Sequence, residues 1–129
     1  MRSLLVSLIV IASVLQLNAQ SVEAGSTQDS IVFNKLIHDY GTIEKGSDGT
    51  CEFLFTNKGN APLVINNVRA SCGCTVPKWP REPIPPGEKG VITIRYNTNI
   101  RGSFNKSISV YSNAVNNTVR LMVKGKVMR

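Results

Sequence analysis

Two of the three cysteines stand one residue apart in Ser71-Cys72-Gly73-Cys74-Thr75, with only glycine between them. Thiols at this spacing can close on each other, chelate a metal or exchange with other thiols. As a staple the pair is weak. Closing a three-residue loop gains only ~1.6 kcal/mol on chain-entropy grounds, about half of what a 15-residue loop would gain. A strained redox bond, a metal chelate and a local clamp on one turn all remain open. A local Cys72–Cys74 disulfide is the first expectation. Gly73 has no Cβ and can take positive φ, which would ease the turn. A redox role lacks the Cys-x-x-Cys helix of thioredoxin-type proteins.

The metal alternative needs further ligands. Two thiolates suit Cu(I) or Zn(II), and a closed zinc site takes four donors. His38 is the only histidine, so Cys72, Cys74 and His38 supply three at most, with Met122 a further donor for copper. His38-Asp39-Tyr40 otherwise reads as a strand end or turn. Cys51 alternates with Phe53 and Phe55 and reads as a small buried hydrophobe. A cysteine nucleophile activated by His38 would need an orienting group and an oxyanion site, and no local signature supplies them. No spaced carboxylate pair and no phosphate-cradling glycine loop occurs. An enzyme is therefore not expected, nor is a cofactor.

Lys78-Trp79-Pro80-Arg81-Glu82-Pro83 sets an aromatic ring and two cations in a proline-stiffened segment. Trp and Arg are enriched at binding hot spots. Thr75, Lys78, Trp79 and Arg81 are the candidate binding residues, in a loop shaped by Cys72 and Cys74. The competing expectation is that Trp79 folds back to cap the core. Arg120, Lys124 and Lys126 form an outward basic stripe, read as a charge-protected edge strand.

The elements that must hold these residues are strands. Residues 50–56 alternate, with Cys51, Phe53 and Phe55 on one side. Residues 62–68 are β-branched and apolar. Ile92, Ile94 and Tyr96 share one face, as do Phe104, Ile108 and Val110, and Val119, Leu121 and Val123. Turn chemistry separates the runs at Asn57-Lys58-Gly59-Asn60, at Pro85-Pro86-Gly87-Glu88 and across 97–102. No segment after the N-terminal run has helical periodicity. The expectation is an all-β, immunoglobulin-like antiparallel sandwich of about seven strands. The antibody framework is missing, because residues 104–111 hold no cysteine to pair with Cys51.

The chain of 129 residues begins with Arg2, an apolar run from Leu4 to Leu17 and Ala19, the layout of a secretory leader. The expected organisation is a cleaved signal peptide over 1–19, a linker over 20–30 and one domain over 31–129. The apolar run is shorter than the ~20 residues of a spanning helix, so no membrane span is expected after cleavage. The full chain carries +7. Losing Arg2 leaves +6 (14 Lys and Arg against 8 Asp and Glu). A basic surface favours anionic partners, and export makes nucleic acid the least fitting of them. Asp29-Ser30-Ile31 and Asn116-Asn117-Thr118 match short glycosylation triplets.

Several motifs form one series. His38-Asp39-Tyr40-Gly41-Thr42-Ile43 is followed by Phe53-Leu54-Phe55-Thr56-Asn57 and Gly59-Asn60-Ala61-Pro62-Leu63-Val64-Ile65. Ala70-Ser71-Cys72-Gly73-Cys74-Thr75-Val76-Pro77, Trp79-Pro80, Pro86-Gly87-Glu88, Gly102-Ser103-Phe104-Asn105-Lys106 and Ser112-Asn113-Ala114 complete it. The chain resembles, from Phe33 to Val127, the bacterial family known as domain of unknown function 1573. The resemblance implies an exported sandwich of the PapD-like and Hydin type and implies no activity. Cys51 lies outside the motifs that carry it. The functional expectation is a non-enzymatic binding or structural module of a bacterial cell envelope, periplasmic or on the outer surface, with a protein or glycan partner. The alternative is an envelope Cu/Zn-binding or thiol-redox protein using Cys72 and Cys74.

Overall fold

A computed structural model describes residues 30–129, so the expected leader and nearly all of the expected linker lie outside the described residues. Eight strands follow in order: β1 Ile31–Phe33, β2 Ile37–Glu44, β3 Thr50–Asn57, β4 Ile65–Ala70, β5 Thr75–Lys78, β6 Lys89–Tyr96, β7 Gly102–Ser112 and β8 Thr118–Met128. They form two four-stranded sheets, β1-β3-β6-β5 and β2-β8-β7-β4. The sandwich is therefore the expected one, with eight strands instead of seven.

Alternation places the core. Phe53, Phe55, Ile92 and Ile94 of the first sheet face Ile108, Val110, Leu121 and Val123 of the second, all buried. Each such side chain contributes roughly 1.5–3 kcal/mol by leaving water. Tyr96 and Phe104 stack across the two sheets at 3.8 Å between centroids, closing the core at the end where β6 hands over to β7.

Three local readings change. The apolar run 62–68 becomes a strand only from Ile65, because Leu63 instead bridges Ile84. β2 is a full strand, and His38 sits near its start. It pairs in parallel with β8, so β8 is flanked on both sides from Met122 to Val127. Lys124 and Lys126 therefore lie on an interior strand, not on the edge strand expected for the basic stripe.

Pro85-Pro86-Gly87-Glu88 behaves as its residues dictate. The Glu88 N–H reaches the Pro85 carbonyl at 3.1 Å and Gly87 has φ 80°, the type II arrangement with Pro and Gly at its two central positions. Asn57 then ties this turn down. Its buried amide donates to the Ala61 and Ile84 carbonyls at 2.8 and 2.9 Å and its oxygen accepts from the Gly59 N–H at 2.9 Å.

Candidate functional site

The Cys-Gly-Cys segment makes the crossing between the sheets. The Ser71 N–H still bonds to the Ser107 carbonyl of the second sheet at 2.9 Å. By Thr75 the chain has joined β6 of the first sheet. Four residues, 71–74, span the change. Within them the Thr75 N–H donates to the Cys72 carbonyl at 3.3 Å, and the Cys74 carbonyl accepts from the Asn97 N–H at 2.8 Å. The two sulfurs are brought into bonding contact with Cα atoms 5.3 Å apart, inside the ~4.4–6.8 Å span a disulfide requires. The Cys74 N–H also points at the Cys72 sulfur, 3.0 Å away. Gly73 does not use the positive φ expected of it, and a Cβ there would meet nothing within 4 Å. Four residues suffice for the turn without a left-handed position.

This crossing walls a cleft of about 670 Å³ at one end of the sandwich, with residues 46–49, Gly73, Cys74, Val76 and 95–99 around it. Hydrogen bonds lock its other walls together. Thr98, buried, accepts from the Gly46 N–H at 3.2 Å through its carbonyl and donates its hydroxyl to the Ser47 carbonyl at 2.5 Å. The Gly49 carbonyl accepts from the Tyr96 N–H at 2.9 Å and from the Tyr40 hydroxyl at 2.6 Å. Gly49 must be glycine, because a Cβ would lie 2.1 Å from the Tyr96 carbonyl oxygen. Asp48 and Arg95 are the charged residues of the lining. The Thr50 hydroxyl and N–H hold the Asp48 carboxyl below its ordinary range, with Arg95 a smaller contributor.

The expected binding loop divides into two places. Thr75 is buried at 3% exposure, with its hydroxyl 3.8 Å from the Cys74 sulfur. The strand turns this side chain inward, which removes Thr75 from any presented surface. Lys78 closes β5 and is exposed. Trp79, half-buried, packs against the core, and the exposed Arg81 lays its guanidinium over the indole at 3.9 Å from the centroid. Trp79 thus folds back as the competing expectation held, and the group exposed above its ring is Arg81. The four residues of β5, about 13 Å of extended chain, separate this stack from the cysteine crossing.

The expected metal set does not assemble. Among the described residues no group of three or more His, Cys, Asp or Glu side chains could hold a metal ion. His38 has other company: its Nδ1 is 2.8 Å from the Lys35 ammonium and its ring meets Tyr40 edge-on at 4.5 Å. Partial burial first, and the Lys35 charge second, pull the His38 imidazole below its usual range, against Asp39. Cys51 is a buried free thiol, as expected. Burial pushes it up, partly offset by the neighbouring Tyr40 hydroxyl. Sequence reasoning missed the cleft itself, which needs three chain segments far apart in order. Its one legible trace was the run of small polar turn residues at 46–49 and 97–99.

The domain family of unknown function designated DUF1573 matches residues 31–127. The chain belongs to this family. No curated protein matches it. Among solved structures, a protein of unknown function from Porphyromonas gingivalis W83 superposes with TM-score 0.69 at 19% identity, covering 78% of this chain and 48% of that one. The chain thus spans about half the length of that protein. The ASH/PapD-like domain 7 of human CEP192 gives TM-score 0.66 at 10% identity, covering 80% and 88%. The YadV chaperone gives 0.57 at 14%, covering 77% and 52%. At these identities the likeness establishes the fold: this DUF1573 domain is an immunoglobulin-like sandwich of PapD-like type.

Proposed function

We propose that the protein is an exported, non-enzymatic binding module of a bacterial cell envelope, engaging a protein partner through the Lys78, Trp79 and Arg81 surface. The observation that carries this reading is the Arg81 guanidinium set over the Trp79 ring, 3.9 Å from its centroid. Stacking fixes a long side chain in advance and so lowers the entropy lost on binding. It offers a carboxylate a cation with Lys78 close by in sequence. The secretory layout of residues 1–19 supports export. Membership of a PapD-like fold that includes a chaperone supports a protein as the partner. The second part of the proposal is that Cys72 and Cys74 are disulfide-bonded and clamp the crossing that feeds β5.

The test is capture from envelope extracts by the immobilised mature protein, with Trp79→Ala and Arg81→Ala alongside. Loss of at least about tenfold in both, with melting curves still cooperative, is expected for a hot-spot pair. Unchanged capture by folded variants removes this surface from the site. Capture that survives protease treatment of the extract but not periodate would replace the protein partner with a glycan.

A further inference from the structure

The crossing and the cleft together have an asymmetry between the two sulfurs. Cys74 is among the residues around the cleft and Cys72 is not, although Cys74 also packs in part against the core. The Cys72 sulfur receives the Cys74 N–H at 3.0 Å. Among the described residues, the Cys74 sulfur has only the Thr75 hydroxyl, at 3.8 Å. An N–H donor held at 3.0 Å stabilises charge on a sulfur more than a hydroxyl at the limit of contact, and hydrogen bonding to the charged form favours that form.

We propose that the cleft admits a thiolate to Cys74, and that the Cys72–Cys74 bond is opened there by directed thiol–disulfide exchange. The inference rests on the disulfide of the preceding section. In the first step a partner thiolate forms a bond to the Cys74 sulfur and the bond to Cys72 breaks. Cys72 leaves with the electron pair as a thiolate, held by the Cys74 N–H. In the second step another thiolate attacks the partner sulfur of the mixed disulfide and releases the Cys74 thiolate. Two thiols of the partner class are oxidised to one disulfide, and the protein disulfide is reduced to two thiolates that take protons from solvent. A leaving group with lower pKa leaves faster, so regiochemistry follows from the Cys72 environment.

Opening the bond has a structural consequence because of where it sits. The same four residues hand the chain from one sheet to the other. Reduction leaves the Thr75 N–H and Cys74 carbonyl bonds in place but releases the clamp between them. The surface that follows β5 is then attached through a looser crossing.

The experiment uses the mature protein and glutathione as the thiol. As purified and denatured without reductant, it is expected to be two hydrogens lighter than the thiol form, alkylated only at Cys51. Three alkylatable cysteines would overturn the disulfide and this inference with it. In the fully reduced protein, alkylation of each cysteine is then followed against pH by peptide mapping. The Cys72 midpoint is expected about one pH unit below that of Cys74, a tenfold difference in thiolate at a given pH. Equal or reversed midpoints, with the bond established, overturn only the directed exchange. Finally, Val76→Trp narrows the cleft from an exposed wall position at 57% exposure, two residues from Cys74, and leaves both cysteines in place. Reduction by glutathione is expected to slow at least about tenfold. An unchanged rate in the folded variant overturns the cleft as the route of attack.

Discussion

Trp79 and Cys51 show how single side chains settle competing demands. The Trp79 indole N–H is buried and, among the described residues, has no acceptor. An unpaired buried donor costs about 1–3 kcal/mol, which the ring recovers by packing on the core. Trp79→Phe keeps an aromatic face for Arg81 and removes the unpaired donor. Its denaturant midpoint is expected to correspond to a change within about 1 kcal/mol, whereas Trp79→Ala is expected to lose about 2–4 kcal/mol through the cavity alone. Cys51 and Tyr40 hold their protons more tightly folded than unfolded, chiefly because burial disfavours their charged forms. Stability drawn from them is fully present below the unfolded values, about 8.5 for a thiol and 10 for a phenol, and is lost as pH rises past them. Cys51→Val removes the component with the earlier onset. Melting temperature followed from about pH 7 to 10 is expected to fall less steeply in the variant than in the parent.

At the scale of elements, the sheet edges carry the most information. Each of the four edge strands has a device against pairing with another chain. The Asn116 amide bonds both the N–H and the carbonyl of Ile31 in β1, at 3.0 and 2.8 Å. The outward Val68 N–H of β4 is taken by the Asn67 side chain at 2.9 Å. β2 breaks register between Asp39 and Thr42, where Gly41 has φ 66° and its N–H turns to the Asp39 carboxylate at 2.8 Å. In β5 the ladder directs Cys74 and Val76 to β6, leaving Thr75 and Pro77 at the free edge. Thr75 already donates to Cys72 and proline has no N–H. Recognition by strand addition, a natural expectation for an exposed edge, therefore fits this sandwich less well than recognition by side chains. Asn116→Ala is expected to free the Ile31 amide. Its hydrogen-exchange protection should drop by at least tenfold while that of Phe53 and Ile94 in the central strands changes little. Central strands such as β3 and β6 were legible in the sequence because apolar residues alternate along them, Cys51, Phe53 and Phe55 in β3 and Ile92, Ile94 and Tyr96 in β6. β2 and β5 were not. β2 is a half-exposed edge with a glycine bulge, and β5 is four residues long with proline in it. Neither displays the alternation that burial imposes, so β5 reads as loop and the inward turn of Thr75 stays hidden.

For the whole molecule, closure depends on contacts between distant parts of the chain. β2, near the start of the domain, pairs only with β8, at its end. The cleft likewise draws residues from 46–49, 73–76 and 95–99. No local pattern announces such a meeting, which is why the cysteine motif was visible from sequence and its surroundings were not. Removing residues 118–129 takes away the partner of both β2 and β7 and opens the core at Leu121, Val123 and Val127, each buried. The shortened chain is expected to show no cooperative thermal transition by circular dichroism.

The parallel β2–β8 seam also decides how the domain bears tension. A pull on residue 30 and residue 129 reaches β1 first, and its three residues can be peeled from β3 one bond at a time. The load then passes to the N-terminal end of β2 and the C-terminal end of β8. Because these strands run in the same direction, opposite pulls slide them along each other and strain their evenly spaced bonds together. The domain would yield early at one short strand and then resist as a shear clamp, a form suited to a link in a tether.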